Sequence, residues 1–243
     1  MSNPQFSIVI AAKDEGDSLA DTVNEIVEVL TGREFEIVIV DDGSTDNTPQ
    51  VLGDLAKRYG FVRHVVHAHN CGKSAAILTG VRCARAKHIV TMDGDGQNDP
   101  RFVLPLLAPL AEPGVGLVAG QRIKHAHSGL KRIGSKLANG LRASMLKDST
   151  RDTACGLKAF PREAFLRFPY FDTMHRYLPA LALREGMKVR HIDVTDRPRL
   201  HGKSKYGLID RALVGLVDLF GARWLISRRK HVPEAREIFL DKP

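Results

Sequence analysis

The sequence predicts an α/β protein built on a doubly wound sheet, and three observations carry that reading. Strand-like and helix-like segments alternate four times in the first hundred residues, the order expected of βα units. The strand-like runs, such as Glu36 to Val40, are almost unbroken apolar stretches, as befits strands covered on both faces. Polar clusters fall at the C-terminal ends of three of them: Asp14/Glu15, Asp41/Asp42 and Asp93/Asp95. Ligands bind outside those ends in open α/β sheets.

In chain order, Phe6 to Ala12 reads as a short buried strand. Lys13–Gly16 turns into a helix running to about Leu30, with Leu19, Val23, Ile26, Val27 and Leu30 on one face. Gly32 suits its C-terminal cap. A second strand, 36–40, ends in Asp41–Asp46, and Thr48-Pro49 opens the next helix, with proline in the first turn where its missing N–H costs little. Val62 to Val66 is the third strand. Asn70–Ser74 leads into an alanine-rich helix to about Ala86, and 88–92 is the fourth strand. A helix is expected from Pro100 to about Leu110, a strand over 116–120, a basic helix over 130–147 and a turn over 152–156 ahead of Leu157 to Phe160. Short helices near 161 and 177–185, a strand over 188–194, and a helix over 208–229 complete the reading. A compact unit over 1–207 with a C-terminal helical appendage over 208–243 is the simplest division.

The charge is unevenly spread. Residues 1–120 hold 10 Lys/Arg against 16 Asp/Glu, whereas 121–232 hold 24 against 9. An acidic half joined to a basic half suggests metal chemistry on one side and an anionic partner on the other; a solvated basic face is the plainer alternative. Nucleic acid is disfavoured, because the basic half interleaves few aromatics and carries no groove-reading motif. No run reaches the ~18 apolar residues of a membrane span, and Met1–Pro4 leads directly into a strand, so neither a signal peptide nor a membrane span is expected. The three cysteines, Cys71, Cys83 and Cys155, lack paired spacing, which predicts reduced thiols and no disulfide frame or zinc site.

The most telling stretch is Thr91–Pro100, which carries Asp93, Asp95 and Gln97. In extended backbone, residues two apart point to the same side, so two carboxylates and an amide oxygen could share a hard divalent cation. Gly94 and Gly96 would leave room for a ligand to approach the backbone. An acidic turn is the bland alternative. Gly-x-Gly-x-x-Gly is missing after the first strand, which disfavours dinucleotide binding. Gly72-Lys73-Ser74 lacks the first glycine of a P-loop, so it reads as a loop and helix cap, with Lys73 near a ligand phosphate as the sharper option.

Six short pieces in order resemble the inverting family-2 glycosyltransferases of the dolichyl- or polyprenyl-phosphate sugar synthase type. They are Ile8–Glu15, Val40–Asp46, Asn70–Lys73, Asp93–Gln97, Asp152–Phe160 and Arg199–Tyr206. The resemblance implies a GT-A fold, a Rossmann-like, doubly wound mixed sheet with C-terminal amphipathic helices. It implies a nucleotide-sugar donor (UDP or GDP) held by Ala11, Lys13, Glu15, Val40, Asp42, Lys73, Asp93, Gly94, Asp95, Gln97 and Arg122. It implies Mg²⁺ or Mn²⁺ on Asp93, Asp95 and Gln97, and a polyprenyl-phosphate acceptor met by Arg132, Arg199, Ser204 and Lys205. Asp95, Arg122, Arg199 and Lys205 are the expected catalytic groups. One departure stands out: where the family usually shows an aromatic ahead of Asn-Glu, this chain has Lys13, which removes a base-stacking contact. The runner-up is a family-2 transferase acting on a hydroxyl of a cell-envelope glycan, which would call for a carboxylate base.

The expected setting is cytoplasmic, peripheral at the inner face of a membrane. Leu213, Leu216, Val217, Phe220, Trp224 and Leu225, beside Arg223, Arg228 and Arg229, resemble an interfacial amphipathic element. A core-packing helix and docking on a small membrane protein are the other readings of that segment.

Overall fold

The computed structural model describes residues 4–123, 140, 142–198 and 208–229, with side chains in the last helix described from Gly215 onward. Arg132, Arg199, Ser204 and Lys205 lie outside the described residues, as does most of the basic stretch 130–147.

The chain folds around one mixed sheet of seven strands in the order β3-β2-β1-β4-β6-β5-β7. These are β1 (Phe6–Ala12), β2 (Phe35–Asp41), β3 (Val62–Val66), β4 (His88–Asp93), β5 (Val115–Arg122), β6 (Lys158–Pro161) and β7 (Lys188–Val194). The first four pair in parallel, as their apolar runs predict. β6 is antiparallel to both neighbours and sits between β4 and β5. That insertion joins segments some seventy residues apart, and no local pattern announces it.

Helices cover both faces. α1 (Gly16–Val29), α2 (Thr48–Arg58) and α4 (Val103–Leu107) lie on one side. There Leu19, Val23 and Ile26 of α1 bury against Ile8 and Ile10 of β1. On the other side α3 (Lys73–Cys83), α5 (Arg162–Leu166), α6 (Leu178–Arg184) and α7 (Leu208–Ser227) form a second cluster, in which Ile77 and Val81 meet Val9 and Val38. The alternation along β1, Ile8 and Ile10 one way and Val9 the other, is the two-residue period of a strand with two buried faces. Each such aliphatic side chain contributes roughly 1.5–3 kcal/mol by leaving water.

The helix expected from Pro100 to Leu110 is broken into a 3₁₀ turn (Pro100–Phe102), α4 and a second 3₁₀ turn (Ala108–Ala111). Pro109 supplies the reason: it removes one N–H and crowds the carbonyl four residues back, so the chain tightens. α7 divides its side chains. Leu219 and Ala222 are buried in the second cluster, while Leu216, Val217, Phe220 and Trp224 remain exposed.

Candidate active site at the carboxyl end of the sheet

Strand register sets the floor of the site. Ala11 of β1 pairs with Val40 of β2 on one side and with Asp93 of β4 on the other, so the three stand in one row. The loops beyond them are zipped together. Asp14, with a positive φ of 52°, accepts from Thr45 N (2.7 Å) and donates its own N–H to Ser44 Oγ (2.9 Å). Glu15 N donates to Thr48 Oγ1 (2.9 Å). Lys13 reaches Asp14 at 2.8 Å. These bonds explain why the polar residues after β1 and β2 come together.

β4 ends at Asp93, and Gly94–Gly96 is a turn, so the same-side argument from extended backbone does not describe Asp95. Asp95 is buried within the turn, where its Oδ1 accepts from Gln97 N at 3.1 Å. Nor is the room at Gly94 open to a ligand. A Cβ there would collide with Glu15 Oε2 and crowd Leu19 and Ile10, so the glycine admits the Glu15 carboxylate to the site. Gly156 does the same for Asp93, whose carboxylate occupies the space a Cβ would take.

Asp93 meets Lys73, at the start of α3, with Nζ 2.5 Å from Oδ1. Burial by itself would raise the Asp93 pKa, but Lys73, then Lys158 and Arg122, hold it below the usual carboxylate range. Burial would likewise lower the Lys73 pKa, and Asp93, Glu15 and Asp95 raise it instead. The charged pair is therefore the stable form.

Arg122 at the end of β5 grips Asp152 through Nε (2.6 Å) and Nη2 (3.1 Å), and Asp196 through Nη1 (3.2 Å). Its hydrogen bonds to Asp152 push its pKa up against the opposing effect of burial. The segment 94–99 and the segment after β7 are joined as well. Arg197 N donates to Gln97 O (3.0 Å), Gln97 Nε2 donates to Arg197 O (3.3 Å), and Asn98 bridges to Asp196. Arg197 also pairs with Glu25 (2.6 Å) and Asp99 (3.1 Å). Arg197, two positions ahead of Arg199 in the sequence, is thus fixed beside Gln97.

Asp42 is held from three directions, accepting from His67 Nδ1, Cys71 N and Gly72 N, each at 2.8 Å. The structure therefore brings together Ala11, Lys13, Glu15, Val40, Asp42, Lys73, Asp93, Gly94, Asp95, Gln97 and Arg122 at one end of the sheet.

Two residues escaped the sequence reading. Lys158 is buried, donates to the carbonyls of Thr153 (3.3 Å) and Cys155, and has its pKa pushed down to about 8 by burial. A lone lysine in the apolar run 157–160 was the available signal. His175 shares a hydrogen bond with Ser74 Oγ (2.8 Å), beside Lys73, and burial holds its pKa well below the usual value. Nothing in its local sequence marked it.

The glycosyl transferase family 2 profile matches residues 7–168, two thirds of the chain and all of the strands that build this floor. The chain belongs to glycosyl transferase family 2. The sheet and its flanking helices are a GT-A fold, as the resemblance implied. Among curated relatives of this family 2 chain, an undecaprenyl-phosphate 4-deoxy-4-formamido-L-arabinose transferase of Edwardsiella ictaluri is 32% identical over 206 residues, covering 84% of this chain and 63% of that protein. A dodecaprenyl-phosphate galacturonate synthase of Rhizobium johnstonii is 30% identical over 229 residues, 91% of this chain and 67% of that one. The chain thus spans about two thirds of the length of these relatives. Among solved structures, glucosyl-3-phosphoglycerate synthase from Mycobacterium tuberculosis, in complex with Mn²⁺, UDP and glucosyl-3-phosphoglycerate, aligns with a TM-score of 0.67. Its identity is 20%, over 93% of this chain and 80% of that one. No helix among the described residues is long and apolar enough to cross a membrane.

Proposed function

We propose that this protein transfers a sugar, with inversion, from a nucleoside diphosphate sugar to a polyprenyl monophosphate. The observation that carries the reading is the row Val40–Ala11–Asp93, with Lys73 paired to Asp93 and Asp95 buried next to it, in a chain whose relatives carry polyprenyl-phosphate names.

In this reading a phosphate oxygen of the acceptor attacks the anomeric carbon while the bond to the nucleoside diphosphate breaks, and the diphosphate leaves with the bonding electrons. The acceptor is already anionic near neutral pH, so no strong base is required. Asp152 and Asp196, two carboxylates at this end of the sheet, are both engaged by Arg122, which supports a phosphate acceptor over a hydroxyl. Lys73 offers a point charge to the diphosphate at the N-terminus of α3, where backbone N–H groups also favour phosphate. Asp42 and Lys13 take the base and ribose end. Arg132, Arg199, Ser204 and Lys205 take the acceptor phosphate, with arginine suited to bidentate contact.

The residues at the end of β4 fit a hard divalent cation: two carboxylates and an amide oxygen form an oxygen donor set, and Gly156, having no Cβ, lets the Asp93 carboxylate take its place there. Mg²⁺ or Mn²⁺ held by Asp93, Asp95 and Gln97 would act as a Lewis acid on the leaving diphosphate. Positioning and fixed charge then carry most of the acceleration.

The setting follows from the lipid acceptor. The exposed stripe of α7 favours peripheral contact with the inner face of a membrane, from the cytoplasmic side. The reading is tested with a panel of radiolabelled UDP- and GDP-sugars, polyprenyl phosphate, and Mg²⁺ or Mn²⁺. Label passing into the organic phase for one sugar supports it. Label passing only to a water-soluble glycan overturns the lipid acceptor.

A further inference from the structure

We propose that Asp42, His67 and Cys71 form a second metal site, for a borderline ion of the zinc type, and that an ion there excludes the donor nucleotide. The second clause rests on the proposed function, which gives Asp42 to the base end of the donor; the first does not. Among the described residues, these three offer one carboxylate oxygen, one imidazole nitrogen and one sulfur, all within 4.8 Å of one another.

No linear spacing predicts this set. Asp42 follows β2, His67 follows β3 and Cys71 lies in the turn before α3, so the parallel pairing of β2 with β3 brings them together. His67 is fixed at both ends. Its backbone N donates to Asp41 O (2.8 Å), and its Nε2 lies 2.9 Å from Thr79 Oγ1 on α3. A histidine that donates one ring N–H to such an anchor presents the other nitrogen as a ligand, the arrangement common around protein-bound metals. In the ion-free chain Nδ1–H donates to Asp42 Oδ1 at 2.8 Å; with that proton moved to Nε2 and donated to Thr79 Oγ1, Nδ1 becomes the ligating atom.

The dimensions are close to what an ion needs. Bond lengths of about 2.0 Å to nitrogen and oxygen and about 2.3 Å to sulfur place tetrahedral ligand atoms roughly 3.3–3.6 Å apart. The Asp42–His67 pair must open by about half an ångström on that geometry, and Cys71 must close in. The Cys71 backbone is held, but its side chain is exposed and its Sγ makes a weak contact to His69 O (3.4 Å), so the sulfur can swing inward by rotation about χ1. Asp42 keeps its backbone donors on Cys71 and Gly72, which hold the carboxylate in place. Carboxylate and thiolate neutralise a doubly charged ion, and the thiol releases one proton on binding.

The donor set also separates this site from the end of β4. A thiolate and an imidazole favour zinc-type ions, whereas the oxygen set of Asp93, Asp95 and Gln97 favours Mg²⁺ or Mn²⁺. Three protein ligands leave a fourth position for water, so the ion would stand in the cleft with Asp42 committed to it.

The experiment titrates Co²⁺ into the full, tag-free chain with excess Mg²⁺ present. One Co²⁺ per chain is expected, with a thiolate-to-cobalt charge-transfer band and the visible bands of tetrahedral cobalt, both bleached by Zn²⁺. Cys71→Ser, checked for folding by circular dichroism, is expected to lose the charge-transfer band. His67→Gln is expected to weaken binding at least tenfold, and Asp95→Asn to keep the band. A wild type without a thiolate band, or a Cys71→Ser protein that retains it, overturns the site. In a second arm, UDP binding is followed by calorimetry. Zn²⁺ is expected to weaken it at least tenfold in the wild type and not in Cys71→Ser. Equal UDP affinity with and without Zn²⁺ overturns the exclusion. A wild type that never binds UDP or GDP counts against the proposed function and leaves the site to the cobalt spectra.

Discussion

Lys73 Nζ lies 2.5 Å from Asp93 Oδ1, so the folded chain already holds a cation against the carboxylate assigned to the metal. In the proposed function the ammonium would compete with a divalent ion for that carboxylate. Lys73→Met is expected to tighten Mn²⁺ binding to the donor-free protein several-fold, read by the loss of the free Mn²⁺ electron paramagnetic resonance signal. The same variant is expected to weaken UDP binding by one to two powers of ten, since a charge-assisted hydrogen bond is worth about 1.5–3 kcal/mol. Unchanged Mn²⁺ affinity would remove Lys73 as a competitor. The pH window is wide. The Asp93 contribution is present above the ordinary carboxylate pKa and lost only as pH falls through its lowered value. The Lys73 contribution is full below the ordinary lysine value and lost only as pH rises through its raised one.

Asp95 separates chemistry from folding. Its carboxylate is buried in a turn and caps Gln97 N, so Asp95→Ala is expected to cost about 1 kcal/mol of stability, or ~2–4 °C in melting temperature. Transfer is expected to fall by three or more powers of ten, about 4 kcal/mol of transition-state stabilisation. A melting curve beside a product-extraction assay reads both. An Asp95→Ala enzyme within tenfold of wild-type turnover would falsify the metal assignment.

The strands and their polar ends were legible because each is local: an apolar run, then Asp14/Glu15, Asp41/Asp42 or Asp93. Parallel register then places them in a row without further information. What stayed hidden depends on distant pairing. The antiparallel β6 brings Lys158 under the floor, and the partners of Arg122 arrive from residues 152 and 196. The trio of Asp42, His67 and Cys71 was invisible for the same reason, and a reading by cysteine spacing pointed away from it. Asp95 shows the other limit: extended backbone stops at Asp93, so the turn over 94–96, and not strand alternation, sets which way the Asp95 carboxylate faces.

Lys158 makes stability rise with pH in a window unusual for a lysine. Burial lowers its folded pKa to about 8, while the unfolded chain titrates near 10.5. Between those values the unfolded state binds more protons, so unfolding free energy increases as pH rises. Below pH 8 the charged form costs about 3 kcal/mol relative to an exposed lysine. Cys155, whose thiol is pushed up by burial, titrates nearby with the opposite sign and is removed by Cys155→Ala as a common background. Urea denaturation of that background at pH 7.5, 9 and 10 is expected to show the rise, and adding Lys158→Met to abolish it. The same slope with and without Lys158 would mean the ammonium is not desolvated in the fold.

The exposed side of α7 gives a test that separates the core role of the helix from its proposed membrane contact. Leu219 and Ala222 are 5% and 1% exposed and pack into the second cluster, so the helix is held to the domain by one face. Leu216, Val217, Phe220 and Trp224 are 45%, 71%, 64% and 59% exposed, spaced to form a continuous stripe beside the exposed Arg223 and Arg228. Removing such a stripe from water contributes on the order of 1–2 kcal/mol per large side chain, and each nearby cation adds ~1 kcal/mol at an anionic surface. Phe220→Ser with Trp224→Ser should therefore reduce flotation with anionic vesicles by two or more powers of ten. Melting temperature should hardly move, because neither side chain is in the core. Leu219→Ser should do the reverse, lowering the melting temperature by several degrees through the lost core contact while leaving flotation nearly unchanged. Flotation that survives the double substitution would remove the stripe as the membrane contact, and loss of stability in that variant would return these residues to the core.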